Sequence, residues 1–176
     1  MKATNLAELY DLPVVDWAVI ASRMDEGYGQ APGSGGPDRY TTWLTTINQD
    51  GSPHMTAVGS LWIDGVFWFV TGEHSRKGRN IARDPRCAVS ISAIEFDLVV
   101  NGTAEQVTDS ATVAAMAARW AADGWPARLD DTGRAITAAY SAPSAGPPPW
   151  HVYRVTPRTA TVVSTIEPGG ATSWRF

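Results

Sequence analysis

The chain has 176 residues, 44% hydrophobic and 18% charged, which suits one globular domain and excludes a disordered tail, a collagen-like rod or a coiled coil. Its 14 basic and 18 acidic residues leave a formal net charge of −4 with no basic stripe, which argues against a nucleic-acid partner. A single cysteine, Cys87, excludes an internal disulfide and a cysteine-rich metal site, and apolar runs as short as 66–70 speak against a membrane span.

The opening residues MKATNLAELYDL are interrupted by Asn, Glu and Asp, unlike a signal peptide, so the sequence reads as that of a soluble cytoplasmic protein. Residues 4–26 read as helical: Leu6, Leu9, Tyr10, Val14, Trp17, Ala18 and Ala21 recur at helical steps, with Pro13 suited to a first turn. Residues 29–38 form a Gly/Pro loop, so 1–38 is predicted as a helical leader joined by a loop to a domain spanning 39–176.

From residue 40 the period changes to two. The runs 40–49, 53–63 and 66–71 are separated by Asp50-Gly51 and Asp64-Gly65, which predicts three antiparallel strands in a meander. A short helix follows from 75, ending before Pro85, then strands over 86–92 and 97–108. Residues 109–122 carry the clearest helical pattern, capped by Asp109 or Ser110, with Val113, Met116, Ala117 and Trp120 on one face. A weaker helix is predicted over 130–140, which makes 109–140 a helical insert, and two closing strands over 150–156 and 159–165. This order predicts a mostly β, antiparallel barrel with flanking helices (α+β) and no parallel dinucleotide-binding sheet.

Candidate chemistry concentrates in 71–86. Ser75 is placed to cap a helix whose first amides, with Arg76 and Lys77 beside them, make an anion site. Lys77 stands out because 12 of the 14 basic residues are Arg and only Lys2 and Lys77 are Lys. Gly78 is expected to let a ligand approach the backbone, and Arg76, Arg79, Asn80 and Arg83 fall on one helical face. The three dispersed histidines, His54, His74 and His151, show no metal-ligand spacing, and Cys87 reads as a small core residue. The eight Trp suit core, interface and ring-stacking roles alike.

With its hairpin turns, the SRK tripeptide and the following RNxARDPR, the stretch 50–86 resembles the pyridoxamine 5′-phosphate oxidase-like flavin and deazaflavin oxidoreductases. It is most similar to the branch that uses coenzyme F-420, an 8-hydroxy-5-deazaflavin. The resemblance implies a split β-barrel homodimer with a cofactor in each of two interfacial grooves. It places the cofactor phosphate on Ser75, Arg76, Lys77 and Asn80, with Thr71 and Gly72 beside it. The ring falls along Thr56, Ala57, Val58, Gly59 and Ser60, and Trp150 and Trp174 come from the other subunit. The implied activity is hydride transfer from reduced F-420 to a small conjugated acceptor. An FMN-dependent oxidase or reductase is one alternative, and a non-catalytic flavin, deazaflavin or haem binding module is the other. Such cofactors perform the hydride chemistry themselves, so the absence of a conspicuous nucleophile is no obstacle.

Overall fold

The computed structural model describes residues 1–28 and 40–176. The predicted 29–38 loop and the start of the 39–176 domain lie outside the described residues.

The N-terminal segment departs from its helical pattern. Lys2–Asn5 is a strand (β1), Glu8–Tyr10 a single 3-10 turn, and the helix is confined to Trp17–Asp25 (α1). Asp16 caps α1 by accepting from the Ala18 N–H, and Pro13 lies ahead of the helix rather than in its first turn. Pairing with the far end of the chain overrides local periodicity, because β1 runs antiparallel to Ala171–Arg175 from Lys2 opposite Arg175 to Asn5 opposite Thr172. Ile20 and Met24 of α1 enter the barrel core, so this segment is built into the domain.

Strands Thr42–Ile47 (β2) and Pro53–Val58 (β3) form the hairpin expected at Asp50-Gly51. The next predicted strand divides at Gly59. Its second half, Ser60–Ile63 (β4), leaves β2 and pairs instead with Val66–Thr71 (β5) through the Asp64-Gly65 turn, where both residues have positive φ. Three consecutive strands are therefore four, and the meander is broken. Arg76–Arg83 (α2) follows, then Arg86–Ser92 (β6), Phe96–Val107 (β7) and Ser110–Ala122 (α3).

The weak helix at 130–140 is not formed. Arg128–Leu129 (β8) and Ile136–Thr137 (β9) make a small ribbon around a turn in which the Asp130 carboxylate accepts from the amides of Arg134 and Ala135. An acidic side chain free to bind nearby amides favours a turn over helix continuation. The two predicted closing strands are one, His151–Ser164 (β10), with a bulge between Pro157 and Thr159, and Ala171–Arg175 (β11) completes the chain.

The main sheet runs β1-β11-β10-β7-β6-β2-β3, with β5 paired to β10 and β4 to β5. The covalent bend at Gly59 carries the sheet round from β3 to β4, giving a split antiparallel barrel. Its interior holds Leu44, Phe69, Leu98, Val155 and Trp174. Alternate residues of β5, Trp68 and Val70, point the other way into a second core with Val113, Trp120, Trp125 and Trp150. The α3 region is thereby packed onto the outer face of β5 and β10.

Candidate cofactor site

A cleft of about 800 Å³ opens where β3 gives way to β4. One wall is Ala57, Val58, Gly59 and Ser60; Lys77 and Val70 lie deeper; α3 and residues 141–145 face them. Gly59 is exposed, and a Cβ built on it would meet nothing within 4 Å. A flat ring can lie against backbone there.

Lys77 is only 2% exposed, and its Nζ donates to the Ser144 carbonyl at 2.5 Å. No ion pair joins it to a carboxylate among the described residues. Burial pushes its pKa down to about 8. His54 on β3 feels the same cations: desolvation, then the charges of Arg76 and Lys77, lower its pKa. An ammonium with three donors and one carbonyl partner is a donor set that an anion would complete. The residues present therefore fit a phosphate-bearing ring cofactor, with Lys77 at the anion end and Ala57–Ser60 along the ring.

The remaining predicted site residues serve this wall rather than form it. Ser75 caps α2 by accepting from Gly78 N–H at 3.0 Å, and its hydroxyl lies 2.8 Å from that of Thr71. The Gly72 N–H donates to Ala145 O at 3.0 Å, which fastens residues 143–146 over the anion end. Gly78 was expected to leave room for a ligand. That room is filled by the backbone carbonyls of Gly72 and Glu73, the latter 2.9 Å from where a Cβ would stand. Arg76 is exposed. Of the other cations on the expected basic face, Arg79 donates to the His74 carbonyl and Arg83 to that of Ile47. Asn80 is turned inward, its amide donating to Thr46 Oγ1 at 3.0 Å and to Asn48 Oδ1 at 3.1 Å, so it ties α2 to β2. Thr56 is half-buried and does not line the cleft.

Trp150 and Trp174 are each 2% exposed within their own protomer. The Trp150 indole donates to Gly146 O at 2.9 Å and packs on Trp125, while Trp174 lies 5.2 Å from Trp17. Their burial is the physical reason that neither ring is available to a neighbouring groove in this conformation. His74 and His151 both lie near Glu73, at 3.3 and 3.7 Å. Among the described residues no His, Cys, Asp or Glu group could hold a metal ion. Cys87 is buried as expected, and burial raises its pKa to about 12.

Tyr28 and the strap 141–146 are the parts of the site that sequence reasoning missed. Tyr28 stands beside the Gly/Pro loop outside any periodic pattern, and the strap contributes backbone carbonyls, which no residue type announces.

The family model for pyridoxamine 5′-phosphate oxidase matches residues 37–164, a span that includes β2 to β7, α2 and all of β10. The chain belongs to that family. A pyridoxine/pyridoxamine 5′-phosphate oxidase of Burkholderia multivorans is 28% identical to this family member, over 89% of this chain and 84% of that protein. The Bordetella petrii protein of the same description is 26% identical over the same shares. A pyridoxamine 5′-phosphate oxidase-related, FMN-binding protein from Nostoc punctiforme superposes with a TM-score of 0.56 at 16% identity, covering 91% of each chain, and shows the shared fold. No helix among the described residues is long and apolar enough to cross a membrane.

Proposed function

We propose that this chain is a flavin-type oxidoreductase that binds a phosphate-bearing isoalloxazine or deazaflavin and reduces a small conjugated acceptor. The observation that carries the reading is Lys77, a buried ammonium with no carboxylate partner among the described residues, in the cleft whose wall is Ala57–Ser60. A bound cofactor of this class supplies the hydride. The protein's own residues supply the rest: Lys77 holds the anion, the open face of Gly59 seats the ring, and the α3 wall shields the cleft from water.

Two cofactors are in contention. The linked motifs of residues 50–86 favour coenzyme F-420. The strap favours FMN, because Ser144 and Ala145 close the anion end and a closed end suits a terminal phosphate better than a phosphodiester with a continuing tail. The relatives named as pyridoxine/pyridoxamine 5′-phosphate oxidases act, by name, on substrates with a second phosphate. Among the described residues the cleft carries only Arg119 besides Lys77, against Asp25, Glu26 and Asp123, which supports an acceptor without a phosphate. Titration of the purified protein with FMN and with F-420, followed by turnover of the loaded protein on a panel of enones and quinones, tests the reading. Binding without turnover would make it a binding module, and no binding of either would remove it.

The same reading has two copies sharing the grooves. Trp43 and Met55, 44% and 61% exposed on adjacent strands β2 and β3, together with Val99 on β7, give the outer sheet face apolar material for a two-fold contact beside Ala57. Light scattering that returned a monomer with cofactor bound would remove the shared groove.

A further inference from the structure

Tyr28 follows the last turn of α1 and lies half-buried against β4. Its phenol oxygen is 3.2 Å from Ser60 Oγ, and Ser60 Oγ in turn donates to Thr42 Oγ1 at 2.9 Å. Tyr28 and Ser60 both line the cleft, and Ser60 directly follows Gly59 in the ring-bearing wall. With the Ser60 proton directed at Thr42, the Tyr28 phenol keeps its own proton. The 3.2 Å contact is long against the usual ~2.7–2.8 Å of an O–H···O bond, so that proton is loosely held and can be redirected to a group entering the cleft.

Burial raises the phenol's pKa, while the hydroxyls of Ser60 and Thr42 oppose the rise and the charge of Asp123 adds to it. The group is therefore protonated at neutral pH, and its phenolate would have hydroxyls to receive the charge. Two other ionisable groups on the cleft wall are already engaged. The Asp25 carboxylate accepts from the Trp62 indole at 2.9 Å, and the Lys77 ammonium donates to the Ser144 carbonyl.

We infer that Tyr28 is the proton donor to the acceptor, with Ser60 and Thr42 holding its phenol in place. This rests on the cofactor reading above. In the step, a conjugated carbonyl acceptor takes two electrons and a proton as hydride at its β-carbon from a reduced flavin-type ring, and the π pair moves toward the α-carbon and oxygen. The Tyr28 O–H bond breaks and a new O–H bond forms at the carbonyl oxygen, giving an enol that tautomerises to the saturated carbonyl product. The phenolate regains its proton from solvent in the cleft, which Tyr28 itself lines.

The test uses the full chain loaded with whichever of FMN or F-420 binds, as wild type, Tyr28→Phe and Tyr40→Phe, with 4-nitrophenol as a non-reacting mimic of the acceptor oxyanion. Bound 4-nitrophenol is expected to ionise about tenfold more readily in wild type and Tyr40→Phe than in Tyr28→Phe, as loss of one charge-assisted hydrogen bond requires. Turnover of an enone should fall about a hundredfold in Tyr28→Phe through kcat, with cofactor affinity unchanged. Equal ionisation in all three proteins, failure of the probe to bind, or an unchanged kcat overturns the donor while leaving the cofactor reading standing. If the wild type binds neither FMN nor F-420, the cofactor reading fails first and the donor with it.

Discussion

The Lys77 ammonium is held 2.5 Å from the Ser144 carbonyl, at the buried end of a cleft, and among the described residues no carboxylate pairs with it. A phosphate arriving there gains a charge-assisted bond worth ~1.5–3 kcal/mol. Lys77→Met is therefore expected to weaken FMN binding by about ten- to a hundredfold, read by fluorescence titration, while the variant stays folded. An unchanged Kd would mean that the ammonium is a structural strut for the strap and no anion binds it.

Asn80→Ala separates scaffold from site. The Asn80 amide is buried and holds Thr46 and Asn48 of the β2 hairpin. Removing it should cost about 1–3 kcal/mol of stability in denaturant unfolding. FMN affinity should move far less than in Lys77→Met. A loss of affinity as large as the lysine variant's, with stability unchanged, would restore Asn80 to the phosphate site.

Sequence periodicity was enough for β2, β6 and β7, for α2 with its Ser75 cap, and for α3. These elements satisfy their hydrogen bonds and bury their apolar faces close to home. What it could not show depends on distant partners. β1 exists because β11 lies beside it, and β11 itself has no alternation strong enough to be seen before that pairing is known. The split at Gly59 is a choice between two neighbours, β2 and β5, which the run 53–63 does not encode locally. In the site, the cations were legible by type, but Asn80 and Gly78 share their helix with Lys77 and face scaffold instead. Trp150 and Trp174 looked like ring-stacking aromatics because a tryptophan in sequence carries no sign of whether its face is covered.

The two glycines of the site predict opposite behaviour. Gly59→Leu places a side chain into open space, so its thermal midpoint should stay close to wild type, within about 1 kcal/mol of stability. The same side chain occupies the ring's seat, and cofactor binding should be lost. Gly78→Ala drives a Cβ into the carbonyls of Gly72 and Glu73, which cannot yield as a flexible side chain would. It should destabilise by ~2 kcal/mol or more as α2 is forced off the β5 turn. Calorimetry and titration of both variants check the pair; a Gly59→Leu protein that binds as tightly as wild type would move the ring elsewhere.

Lys77 also predicts how stability depends on pH. Its pKa lies near 8 in the folded chain against 10.5 in the unfolded one, so between those values the unfolded state binds the proton more tightly. Stability therefore rises with pH across that window. The desolvation cost is fully present below about 8 and is relieved by 10.5. The full span is on the order of 3 kcal/mol. Lys77→Met removes the group, so the variant should be the more stable protein at neutral pH, and the gap should close as pH climbs through the window. Bound phosphate acts in the opposite sense. It favours the ammonium, so the stabilisation given by saturating FMN should shrink as pH rises past about 8. Melting curves for both proteins, with and without FMN, read all of this at once. Parallel curves across the window would show that the lysine is solvated and the cleft wetter than its burial implies.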